Sequence, residues 1–223
     1  MQDSFFEETP FFSDEHKRLA AGMRKFVAQE IEPQAAEDGD AATATATADR
    51  FQYLFSLIAQ GGLLHHAIVD TAGRLGSRSL CLVREALAYS SALADLAFVT
   101  QGVGTYAIGI AASEHVRDFW LQRAIEGKAI GAFALTEPGA GSDVSSLQTT
   151  ARRDGDAYVL DGHKSLVSNA GVADFYTVFA RTGTREEDDG RALNLSLHRG
   201  SQNGWLSISR ANRAFWARSQ SAR

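Results

Sequence analysis

The spacing of apolar residues changes once along this chain, at about Gly131, and that change constrains the fold more than any single motif. Before it, the period is helical. In SDEHKRLAAGMRKFVAQEIEPQ, Leu19, Met23, Phe26, Val27 and Ile31 share one stripe, Ser13 can cap it, and Asp14 and Glu15 favour the positive end of its dipole. Pro33 disturbs the register, and AATATATA at 41–48 is a low-complexity stretch that reads as a linker or a frayed end. A second helix from near Asp49 carries Phe51, Leu54, Phe55 and Ile58 on one face and stops at Gly61-Gly62. A third runs from Ser79 to about Thr100 with apolar residues nearly all round; Gly102, Gly104 and Gly109 loosen the next stretch. Ser113 caps a fourth, with Val116, Phe119, Trp120 and Ile125 inward as core residues and Gly127 closing it.

After Gly131, short β-favouring runs are broken by Asp154-Gly155 and Asp161-Gly162, dipeptides suited to tight hairpin turns. The expected fold class is therefore α+β: a helical N-terminal domain over 1–130, an antiparallel β-sheet or barrel domain over 131–209, and an unassigned tail over 210–223. No internal repeat is present.

Composition narrows the function. A net charge of −5 without a basic stripe argues against a nucleic-acid partner. Cys81 is the only cysteine, so no intrachain disulfide can form; its apolar helical setting reads as a structural thiol in a reducing compartment. The segment MQDSFFEETPFFSDEH lacks a basic n-region and an Arg-rich presequence, and no apolar run approaches the ~18 residues of a membrane span. A soluble cytoplasmic protein is expected. The His65-His66 pair lacks partners at ligand spacing, so no metal is expected.

Residues 133–146 read FALTEPGAGSDVSS, a segment fit for neither helix nor strand. Strands rather than a helix follow Gly139-Ala140-Gly141, so it is not a dinucleotide fingerprint; it lacks the Gly-Lys-Ser/Thr of a P-loop and the Gly-x-Ser-x-Gly of a hydrolase elbow. The loop resembles the signature Ala/Gly-Leu-Thr-Glu-Pro-x-Ala-Gly-Ser-Asp of the acyl-CoA dehydrogenase family, matched from Ala134 to Asp143. A second family block, Lys-x-Trp-Ile-Thr/Ser-Asn, is echoed by Lys164-Ser165-Leu166-Val167-Ser168-Asn169 at the family's spacing. The resemblance covers most of this chain up to about Arg181, but only about the first half of a family subunit.

The resemblance implies FAD as cofactor, with Phe133, Leu135, Thr136, Gly141 and Ser142 from the first block and Leu166, Val167 and Ser168 from the second at its binding site. Ser142 is also implied to touch substrate, an acyl-CoA, and the Ser168 hydroxyl to lie near flavin N5. Such a ring's polar edge needs hydrogen-bond partners once buried, which short hydroxyls and backbone N–H groups supply. Gly139 and Gly141 let the backbone approach closely, and Pro138 stiffens the turn. Glu137 is read as holding the loop rather than as a base.

The sequence departs from the family in three places. Leu166 stands where most members carry Trp or Phe, and 69–76 match the Pro-Glu-x-x-Gly-Gly segment only in part. After about Thr184 the match thins, although Leu193, Leu195 and Leu197 keep strand-like alternation. The family's C-terminal helical bundle, with its catalytic glutamate and subunit interface, has no counterpart here, so no catalytic residue is named. The expectation is an acyl-CoA dehydrogenase-type oxidoreductase in truncated form, whose full-length relatives imply an electron-transfer partner and a homo-oligomer. Alternatives are a truncated, non-catalytic family member acting through protein contacts, or a flavin monooxygenase on the same fold.

Overall fold

The computed structural model describes residues 9–35, 44–70, 72–154, 157–182, 194–199 and 207–208. By packing, the chain divides into two units: Met1–Gly102 with Ile125–Gly127, and Val103–Ala124 with Lys128–Arg223.

The first unit is helical. It holds α1 (Asp14–Phe26), a π-helical turn (Val27–Ile31), α2 (Glu32–Ala35), α3 (Ala44–Gln60), α4 (Ser77–Ser90) and the first part of α5 (Ala92–Ala111). Of the stripes expected from the sequence, Met23, Val27 and Ile31 are buried in the first, where Leu19 and Phe26 are half-buried, and Phe51, Leu54, Phe55 and Ile58 are all buried in the second. The wide turn precedes Pro33, which has no N–H and whose ring would crowd the carbonyl four residues back in an α-helix. Gly61-Gly62 ends α3 as expected: Leu63 N–H donates to Ile58 O (3.1 Å), Gly62 N–H to Ala59 O (2.9 Å), and Gly62 has φ +68°.

The second unit carries α6 (Glu114–Ile125) except its last residue, and two three-stranded sheets. One has the order β1 (Gly131–Ala134), β4 (Phe175–Ala180), β5 (Asn194–Arg199); the other has β2 (Thr150–Asp154), β3 (Ala157–His163), β6 (Ser207–Ile208). Alternation sorts the first sheet's side chains. Ala132, Ala134, Tyr176, Val178 and Ala180 pack with Ala151 and Leu160 of the second sheet. On the opposite face, Phe175 meets Trp120 (centroids 4.6 Å apart), and the Thr177 hydroxyl donates to Gly104 O on α5 (2.7 Å).

Several expectations are corrected. The β half is not wholly antiparallel: β1 and β4 pair in parallel, a pairing that needs a long crossover, supplied here by the intervening loop and hairpin. Asp161-Gly162 is no turn but lies inside β3, where a Cβ on Gly162 would stand 2.3 Å from the Thr149 hydroxyl. The predicted turn at Gly155 falls outside the described residues, although β2 and β3 do pair antiparallel around it. Helix α3 begins at Ala44, because its Ala-rich start favours helix over linker; residues 41–43 lie outside the described residues. The third helix divides at Ser91, whose extended backbone (φ −150°) and hydroxyl, accepting from Ala94 N–H at 3.0 Å, start α5 afresh.

Helix α5 continues unbroken through Gly102, Gly104 and Gly109. It is long and apolar enough to cross a membrane by length and composition alone, contrary to the sequence reading, but core helices meet the same test, and 56% of its apolar window is buried. Cys81 is exposed rather than structural. Phe119 is 50% exposed, because the buried face of α6 is formed by Leu121 and Ala124. The 210–223 tail and Leu193 lie outside the described residues, while β5 contains Leu195 and Leu197.

The glycines of α5 serve close approach. A Cβ on Gly102 would lie 2.3 Å from Ala67 O, backbone that cannot easily move, whereas a Cβ on Gly22 in α1 meets nothing within 4 Å. Gly22→Ala is expected to stabilise the chain by up to about 1 kcal/mol through helix propensity. Gly102→Ala gains the same propensity but is expected to lose about 1–3 kcal/mol overall through overpacking. Denaturant melts of the two variants check the opposite signs.

Candidate functional site

The strand β1 delivers the chain into the FALTEPGAGSDVSS loop. Glu137 and Ala140 exchange backbone hydrogen bonds (3.0 and 3.1 Å), which closes a tight turn with Pro138 at its second position, where its fixed φ fits. Downstream, Asp143 accepts from Ser145 N–H at 3.1 Å and turns the chain into a short 3₁₀ segment.

The Glu137 side chain points inward and is only 6% exposed. Its carboxylate accepts from Lys164 Nζ (2.8 Å), Thr149 N–H (3.0 Å), the Thr149 hydroxyl (2.5 Å) and Gln148 N–H (2.6 Å). Burial pushes its pKa up, but the hydrogen bonds from Lys164, Thr149 and the two backbone N–H groups overcome this and hold it at about 2. Burial pulls the Lys164 pKa below its usual value, against the pull of Glu137. A carboxylate so fully engaged holds structure and is not poised to take a proton, in agreement with the role read for it.

Lys164 has a second acceptor, Leu135 O at 2.9 Å, and the next residue, Ser165, donates its N–H to Thr136 O at 2.9 Å. The second block therefore lies along the first. From there the chain bows outward. Leu166 has φ +54° and is 90% exposed, while Val167 packs back onto the core of the unit. Asn169 (φ +65°) returns the turn to its base, its Nδ2 donating to Gly131 O at 2.9 Å.

The structure thus brings Leu135 and Thr136 beside Lys164 and Ser165, with Leu166, Val167 and Ser168 on the bow that follows. Gly141 and Ser142 are exposed on the loop beyond the turn, and a Cβ at Gly139 or Gly141 would meet nothing within 4 Å among the described residues. Phe133 lies within β1, its ring against Phe179 (centroids 4.9 Å). Among the described residues, none hydrogen-bonds the side-chain hydroxyl of Thr136, Ser142 or Ser168. Sequence reasoning missed Lys164, Thr149 and Asn169 as the residues that set this geometry. Lys164 and Asn169 stood inside the quoted second block, but nothing local marked Lys164 as the partner of Glu137.

Lys164→Met is expected to cost about 3–5 kcal/mol, because it strands a buried carboxylate. Lys164→Met with Glu137→Gln is expected to recover part of that loss, since an amide leaves no bare charge. The native pair also predicts acid sensitivity: with the Glu137 pKa at about 2 in the folded chain against 4.5 ordinarily, its contribution is complete above pH 4.5 and lost as pH falls towards 2. Denaturant melts at stepped pH check both, and the acid-side loss should shrink in Glu137→Gln.

Comparison with known proteins agrees with this architecture. The acyl-CoA dehydrogenase N-terminal domain matches residues 13–128, and the acyl-CoA dehydrogenase middle domain matches 132–213. The chain is 32% identical over 176 residues to a 3-(aryl)acrylate reductase of Clostridium sporogenes, spanning 77% of this chain and 45% of that protein. It is 29% identical over 198 residues to the mitochondrial long-chain specific acyl-CoA dehydrogenase of Sus scrofa, spanning 87% of this chain and 44% of that protein. A glutaryl-CoA dehydrogenase from Mycobacterium smegmatis in complex with FADH2 superposes with a TM-score of 0.69 at 26% identity, over 87% of this chain and 48% of that one. The chain thus spans less than half the length of each of these proteins. With both domains matched in order and the helical and β parts in place, the chain belongs to the acyl-CoA dehydrogenase family.

Proposed function

We propose that this chain carries the flavin-edge half of an FAD-dependent, acyl-CoA dehydrogenase-type oxidoreductase acting at the α,β-carbons of an acyl thioester. The observation that carries the reading is the lacing of the two blocks, Ser165 N–H to Thr136 O and Lys164 Nζ to Leu135 O, each at 2.9 Å. Hydroxyls without partners and open space at Gly139 and Gly141 among the described residues, with an apolar side chain held in solvent, form a surface suited to a flat ring with a polar edge.

In this reading Thr136 and Ser142 hydrogen-bond the edge of the ring, with the backbone at Leu135, Gly141 and Val167 close by. Leu166 covers an apolar part of the ring, Ser168 donates near its reactive nitrogen, and Phe133 supports the loop from β1. Ser142 also reaches the thioester substrate. Bound there, a flavin supplies two-electron acceptance from the acyl chain. The residues of this chain bind, orient and exclude water; none is assigned to remove the α-proton. A separate electron carrier, a homo-oligomeric assembly and a cytoplasmic location belong to the same proposal.

Titration of the chain with FAD, followed by flavin fluorescence, tests this reading. Stoichiometric capture is expected, weakened about 2–10-fold in Thr136→Val and again in Ser168→Ala, as for loss of one hydrogen bond each. A folded chain that leaves flavin fluorescence unchanged would overturn it.

A further inference from the structure

Two residues near the ends of the bowed turn have left-handed backbones, Leu166 at φ +54° and Asn169 at φ +65°. Asparagine tolerates this region far better than leucine does. Asn169 also makes three bonds that fix its end of the turn. Its Nδ2 donates to Gly131 O at 2.9 Å, and its own carbonyl accepts from Val172 N–H (3.1 Å) and Ala173 N–H (3.0 Å). Gly131 is the first residue of β1, the strand that leads directly to Leu135 and Thr136.

The turn is therefore pinned to one continuous segment at two points, Ser165 to Thr136 and Asn169 to Gly131. Between the pins stand Leu166, Val167 and Ser168. Ser168 is exposed and directly precedes Asn169, so the bonds that fix Asn169 also fix the chain position from which the Ser168 hydroxyl projects. We infer that Asn169 is a positioning residue: through its bond to Gly131 and its left-handed backbone it sets the Ser168 hydroxyl against the flavin site. This rests on the flavin reading above and adds a residue to it.

A double-mutant cycle on FAD affinity of the whole chain tests the inference, because a residue acting through Ser168 loses its effect once the hydroxyl is gone. Asn169→Gly keeps the positive φ accessible and deletes the amide; it is expected to weaken FAD binding several-fold. In the Ser168→Ala background the same change is expected to have little further effect. Asn169→Asp, which retains the size and turn preference of asparagine but loses the donor, gives the same comparison should the glycine variant not fold. Flavin capture by the unmodified chain with equal Asn169 losses in both backgrounds would overturn the assignment and leave the flavin reading standing. No capture by the folded, unmodified chain would overturn that reading and this inference with it.

Discussion

A buried lysine–carboxylate pair holds the candidate site together. Lys164 and Glu137, 3% and 6% exposed, lie 27 residues apart in sequence and meet at 2.8 Å. Taking both ions out of water costs several kcal/mol each, and their attraction offsets that only when the remaining donors and acceptors are satisfied. Here they are engaged: Thr149 and Gln148 complete the shell of the carboxylate, and Leu135 O takes a second bond from the ammonium. Each partner belongs to a different block, so the pair fixes one block against the other. An apolar contact of similar volume would also bury the surface, but it would not define the angle at which the blocks meet.

From that fixed point the exposed features arise. With Ser165 bonded to Thr136 and Asn169 to Gly131, the chain between them bows out at Leu166 and Ser168 while Val167 packs back onto the core. Leu166 is thereby held in a backbone region unfavourable for leucine with its side chain in solvent. Strain of this kind persists where surrounding structure over-determines it, and such places cluster at ligand sites.

Much of this is legible in the sequence, and the limits have physical causes. The switch from helical to strand period points to the α+β class, because periodicity reports which side of an element is buried. It does not report which strand pairs with which; the parallel partner of β1 lies beyond a whole hairpin, so periodicity alone misreads its direction. Gly61-Gly62 reads correctly since a helix end is a local event. Gly102, Gly104 and Gly162 mislead for the opposite reason: each is glycine because distant backbone or a distant side chain stands where a Cβ would go. Cys81 and Phe119 sit in apolar patterns yet are exposed, since the pattern shows a stripe but not its width. Glu137 reads correctly as structural, while its partner stays hidden because no local rule pairs residues across two loops.

Family membership explains why two short polar segments recur at this spacing, and the buried pair explains how they become one surface. Hydrogen–deuterium exchange of the chain with and without FAD measures that union most directly. The account predicts that FAD slows exchange together in residues 135–142 and 165–169. Protection of one segment without the other, or of neither while flavin is bound, would contradict it.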